Sequence, residues 1–230
     1  MDLLEKDFFP RLSKRAWYEA WVRAVTSFCL RIGLSWVVIC VFSMLFAMVS
    51  MASFMVAGDQ ADALGAILAW GAAFFCIQMS LICYKIANVL VEVGKGSPAG
   101  VIYNEFTDRL ADVLILVGAG YSGAGEPGVV KLYDMLPLGW CAASVALGSE
   151  YSRLLGASLT GFHDFRGPMA KPQRMAVLSV GSCIELVQHL SHLERWGIKL
   201  ALTLIFLGGL VTCWRRLHGI HTHFYEKRLK

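Results

Sequence analysis

Three polar residues recur at four-residue intervals in the middle of this chain: Asn104, Asp108 and Asp112. On an α-helix that spacing places all three on one face over two turns. Carboxylate and amide oxygens so arranged suit a divalent cation, and a lone carboxylate suits proton abstraction. They sit where an apolar stretch begins, and an ionisable group at membrane depth costs about 3 kcal/mol unless it faces a cavity or a partner. The same acids also suit the first turn of a helix, where they complement its dipole, which fits Asp108 better than the deeper Asp112. Glu105 is adjacent. Glu150 and Arg153 stand three apart and can pair on a helix, as a structural ion pair or as part of a ligand site. Lys85 lies near the same level, and Glu185 nearer the opposite side.

A second candidate is the loop Gly161 to Arg174, GFHDFRGPMAKPQR, which joins Gly and Pro punctuation to Arg166, Lys171 and Arg174. Fixed cationic donors at a membrane surface suit a phosphate or diphosphate. The excess of cations in cytoplasmic loops would also place them there. His218, His221 and His223 have no acid or Cys at ligand spacing, so a solvated tail is the expectation. The seven cysteines (Cys29, Cys40, Cys76, Cys83, Cys141, Cys183, Cys213) are scattered through apolar runs without a CxxC and read as small buried hydrophobes.

These residues need a scaffold, and composition names its solvent. The chain is 57% hydrophobic and 17% charged over 230 residues, with mean hydropathy +0.57. A soluble domain carries roughly 25% charged residues. Met1 to Lys14 is too charged for a signal peptide. The expected fold is all-α and membrane-integral, a bundle of six transmembrane helices behind an N-terminal amphipathic helix. The spans are predicted near Ile32 to Ala57, Ala63 to Val91, Asp108 to Ser122, Met135 to Leu159, Met175 to Leu190 and Trp196 to Cys213. In the leading segment Trp17, Trp21, Val25 and Phe28 recur at helical spacing among Lys6, Arg11, Lys14, Arg15 and Arg23, the pattern of a helix lying on an anionic membrane. The expected organisation is a juxtamembrane helix over 1–30, the membrane domain over 31–215 and a basic tail over 216–230. Eighteen Lys and Arg fall on one side of these spans and three (Lys131, Arg195, Lys199) on the other, which places both termini in the cytoplasm.

Two groups of strings resemble the CDP-alcohol phosphatidyltransferase family, whose members have six transmembrane helices and the signature D-x2-D-G-x2-A-R-x8-G-x3-D-x3-D. Laid on this chain without gaps, the signature falls on Cys83, Ile86, Ala87, Leu90, Val91, Gly100, Asn104 and Asp108. Gly100 and Asp108 match. Ser97 resembles the family's S-x-x-G approach to its third helix, and N-E-F-T-D-R-L-A-D resembles a bacterial branch with Asn at the third acidic position. A shift by four would put the last two acids on Asp108 and Asp112, but the ungapped register also places Gly100. E-Y-S-R-L-L-G-A-S-L and D-F-R-G-P-M-A-K-P-Q-R-M are similar to the family's fourth helix end and the loop after it.

The resemblance implies a bacterial inner-membrane protein of phospholipid biosynthesis. It would move a phosphatidyl or phospho-alcohol group from a CDP-activated lipid donor to an alcohol, with membrane lipids around it and no nucleic acid as partner. It further implies Asp108 as base, Asp108, Asp112 and Asn104 on Mg or Mn, and Ser97, Gly100, Arg153, Lys171 and Arg174 on substrate. The departure is on the second span, where the family's two acids are Cys83 and Ile86, its glycine Ala87 and its Ala-Arg pair Leu90-Val91. Two functions therefore compete: a divergent transferase, and a non-catalytic homologue that acts as structural or regulatory partner of an active relative, as a homodimer or heterodimer.

Overall fold

A computed structural model describes residues 24–29, 31–33, 35–58, 62–90, 98–122, 135–161 and 167–228. Helical secondary structure accounts for the ordered elements: α1 (Trp36–Ala57), α2 (Ala63–Leu90), α3 (Pro98–Tyr121), α4 (Met135–Thr160), α5 (Lys171–Leu190) and α6 (Gly197–Arg228). Residues 24–29 add a short helical run before them. Most of the expected amphipathic helix over 1–30 lies outside the described residues.

Among the described residues, three helices are long and apolar enough to cross a bilayer: α1, α2 and α6 over Gly197–Thr222. This is a membrane protein, and its helices are joined as membrane helices are, through small residues that admit close backbone approach and hydroxyls that bond across. A Cβ on Gly118 of α3 would lie 2.6 Å from the Met51 Cα of α1. Ser43 Oγ of α1 reaches the Ser80 carbonyl of α2 at 3.2 Å, and Ser50 Oγ donates to the Ala73 carbonyl at 3.3 Å. Phe54 and Trp70 meet edge to face, ring centres 5.8 Å apart.

The helices close into a ring in the order α1, α2, α5, α6, α4, α3, with α3 also touching α2 and α6. Its main core is rich in alanine (Ala47, Ala66, Ala73, Ala111, Ala143). A smaller core gathers Cys29, Ile39, Cys40, Ile86, Ala87 and Leu90 where α1 and α2 meet. All seven cysteines are free.

Three boundaries differ from expectation, one being the end of α6, which runs to Arg228 instead of stopping near Cys213, so that most of the expected tail over 216–230 is helical. α3 starts at Pro98, ten residues before Asp108. Its leading turns are too polar to register as a span, and proline suits a first helical turn. Asp108 and Asp112 are therefore interior residues rather than first-turn acids, so the dipole explanation is set aside. α5 starts at Lys171, with a proline in its first turn, rather than near Met175. The expected termini of α1, α2 and α4 hold to within a few residues.

Candidate functional site

The face of α3 that carries Asn104, Asp108 and Asp112 points inward, and all three side chains are buried. α5 brings Lys171 and Arg174 against the two acids. Lys171 Nζ pairs with Asp108 Oδ1 and lies 2.9 Å from Asp112 Oδ1. Its other side rests on the Tyr84 ring of α2, 4.7 Å from the ring centre. Arg174 donates to Asp112 Oδ2 at 2.6 Å and to the Met169 carbonyl at 3.0 Å. Lys171 and Arg174 are only 4% and 1% exposed, so each is a buried cation that needs its anion.

The network continues into α4. Arg109 bridges Asp108 Oδ2 at 3.1 Å, Glu105, and Glu150 Oε2 at 3.5 Å. The expected pair of Glu150 and Arg153 is present, Nε to Oε2 at 2.9 Å, and Arg153 also reaches both oxygens of Glu105 at 3.1 and 3.2 Å. From α6, Arg216 donates to the Ser149 carbonyl and approaches Glu150 Oε1 at 3.8 Å. Five cations thus meet four carboxylates in one cluster at one end of the ring.

The Thr212 hydroxyl of α6 pins the turn into α5. It accepts the Met169 N–H at 3.1 Å, and Gly167 (φ 134°) lies so close that a Cβ there would sit 2.4 Å from Thr212 Cγ2. This approach requires glycine at 167, and it fixes where Lys171 and Arg174 project.

Not every candidate joins the cluster. Asn104 belongs to a separate set of bonds: its Nδ2 donates to Asn88 Oδ1 at 2.7 Å, and its Oδ1 accepts from Cys40 Sγ at 3.3 Å. Gly100 packs on Trp36, where an added Cβ would meet the ring at 2.9 Å. Ser97 and Arg166 lie outside the described residues. Glu185 has a structural task at the far end: its Oε2 accepts the Ile198 N–H at 3.0 Å, while Gln188 Oε1 accepts those of Trp196 and Gly197 at 3.2 and 3.1 Å. These bonds satisfy donors that the start of α6 would otherwise leave open. His218 stacks on Trp214, and His221 is exposed.

The sequence reading did not assign Arg109, Arg216, Tyr84 or Asn88 to the site. Arg109 had one signal, its place four residues after Glu105. Arg216 had another, a cation at the end of an apolar run.

The helical fold recurs in solved structures. Three crystal structures of Mycobacterium tuberculosis phosphatidylinositol phosphate synthase (PgsA1) superpose on the chain. The form with manganese and citrate gives a TM-score of 0.61 at 17% identity, over 87% of this chain and 89% of that one. The form with CDP-DAG gives 0.59 at 17%, over 86% and 92%, and the apo form 0.59 at 18%, over 86% and 95%. The chain shares the fold of that synthase. No protein-family model and no curated protein matches the sequence.

On this fold the residues present do not suit a pair of divalent cations. Mg²⁺ wants near-octahedral hard oxygen ligands. α2 offers Cys83 and Ile86 at the signature positions, and Ile86, Ala87 and Leu90 are buried in the smaller core. The Asn104 amide is committed to Asn88 and Cys40. Every oxygen of Asp108 and Asp112 already faces a cationic nitrogen. Among the described residues, no group of three His, Cys, Asp or Glu side chains is placed to hold a metal.

Proposed function

We propose that this chain is a CDP-alcohol phosphatidyltransferase-type membrane protein of phospholipid biosynthesis that has lost the transfer reaction and serves as a structural or regulatory partner of an active relative. The observation that carries the reading is the closure of the acid pair by Lys171 and Arg174, while the α2 residues Cys83, Ile86, Ala87 and Leu90 pack into an apolar core with α1. Transfer from a CDP-lipid needs charge compensation for a diphosphate at the membrane surface. Here the acids that would recruit that compensation are neutralised from within.

The proposal includes six crossings with both termini in the cytoplasm of a bacterial inner membrane, as the eighteen-to-three asymmetry of cations suggests. Residues 31–215 would form the membrane domain. α3, α4 and α5 would cross with their charged side chains turned toward one another instead of toward lipid. The partner would be a second copy or a relative with the complete acidic signature.

A second reading has one observation in its favour: Asp108, Arg153, Lys171 and Arg174 converge in one cluster although they come from three helices. In that reading Asp108 takes the proton of an acceptor hydroxyl as its oxygen attacks the donor phosphorus, CMP leaves, and the three cations hold acceptor phosphate. PgsA1 has been crystallised with CDP-DAG, so a CDP-activated lipid is the donor to try.

Affinity purification of the tagged chain from its native membranes tests the first reading. The expected result is a stoichiometric partner with the full acidic signature, or a homodimer that alters such a relative's activity when mixed with it. A chain that is monomeric and has no effect on any such relative would defeat it.

A further inference from the structure

All four carboxylate oxygens of the α3 pair lie within ion-pair distance of a cationic nitrogen, although Asp112 Oδ1 accepts no hydrogen bond. Asp108 Oδ1 and Asp112 Oδ1 both face Lys171 Nζ, Asp108 Oδ2 faces Arg109, and Asp112 Oδ2 faces Arg174. We propose that the Lys171 ammonium is the resident cation of this fold, seated between Asp108 and Asp112 so that divalent ions are kept off them.

Three features carry this. The ammonium is enclosed, with two carboxylates on one side and the Tyr84 ring on the other. An aromatic face attracts an organic cation but gives a hard metal ion no oxygen ligand. The lysine is held in place from behind. It opens α5 directly after a turn that Met169 and Gly167 fix to Thr212 of α6, and the Arg174 N–H bonds back to the Ala170 carbonyl at 3.0 Å. Finally, a divalent ion that entered would have to displace the ammonium into an interior already crowded with Arg109 and Arg174, where like charges repel strongly. The sequence is thus self-sufficient where the fold would otherwise call for a bound ion. The inference does not rest on the non-catalytic reading, because a chain can exclude divalent ions from this pair and still bind a CDP-lipid.

The test is Mn²⁺ titration of the purified full-length protein in detergent, followed by the electron paramagnetic resonance of free Mn²⁺, with thermal unfolding alongside. The parent is expected to match Asp108→Asn, with no uptake that depends on the pair and no shift in unfolding temperature with Mn²⁺ or chelator. Lys171→Ala is expected to take up one Mn²⁺ about tenfold or more tighter than the parent. That gain should vanish when Asp112→Asn is added, and Mn²⁺ should raise the unfolding temperature of Lys171→Ala alone. Uptake by the parent that Asp108→Asn removes would overturn the proposal, as would a folded Lys171→Ala with no gain. Should Lys171→Ala fail to fold, the comparison of parent with Asp108→Asn decides the question by itself.

Discussion

Replacing Arg174 with methionine probes the charged cluster at its most buried member. Arg174 is 1% exposed, and its guanidinium holds Asp112 at 2.6 Å and the Met169 carbonyl at 3.0 Å. Methionine keeps much of the volume and removes every donor. Breaking a buried ion pair from one side costs about 3–5 kcal/mol, since the remaining charge is left in low dielectric. Lys171 still faces Asp112 in the variant, which favours the lower end, about 3 kcal/mol. At about 2–4 °C per kcal/mol for a chain of this size, the unfolding temperature should fall by about 6–12 °C. A double-mutant cycle with Asp112→Leu isolates the pair. The two changes together should cost less than the sum of the singles, by about 1–3 kcal/mol. Thermal or denaturant unfolding in detergent reads both quantities. If Arg174→Met stays within about 0.5 kcal/mol of the parent, or if the cycle is additive, the pair is not the organising contact argued for here.

Other perturbations separate packing from charge. Gly118→Ala should destabilise by about 1–3 kcal/mol, because its Cβ would meet the Met51 backbone of α1, which has no side-chain rotation to offer; a stability change near zero would mean that α1 and α3 can part freely. Ile86→Ala, in the smaller core, should cost about 2–5 kcal/mol through the cavity it leaves, and unfolding measurements would expose any lesser role for that cluster. Gln188→Ala removes the acceptor for two N–H groups at the start of α6 and should cost about 1–3 kcal/mol, with faster hydrogen exchange at Trp196 and Gly197 as the local sign.

Much of the scaffold could be read directly. The runs that became α1, α2 and α6 are long and uniformly apolar, so lipid alone specifies them. The start of α3 was illegible for the opposite reason. Its inward face carries Asn104 and Asp108, whose burial depends on partners from α2 and α5 that no local window contains. The Glu150–Arg153 pair was visible because its members are one helical turn apart. The meeting of Lys171 with both acids was not, because it closes about sixty residues of chain, and loop cations alone gave no reason to place them inside. The ungapped register marked Cys83, Ile86, Ala87 and Leu90 as replacements for the family's acids and small residues. Only packing reveals that Ile86, Ala87 and Leu90 are buried together, with Cys83 packed beside them, in an apolar core. Asn104 kept its predicted face, but its amide bonds link α1 and α2 rather than joining the two acids.

The most direct measurement of the central claim is CMP release from CDP-diacylglycerol by the purified chain, with Mn²⁺ or Mg²⁺ and a panel of alcohol acceptors. An acid pair closed by Lys171 and Arg174 predicts no release above a protein-free control for any acceptor. Steady release that Asp108→Asn abolishes would contradict it and make this chain a working transferase.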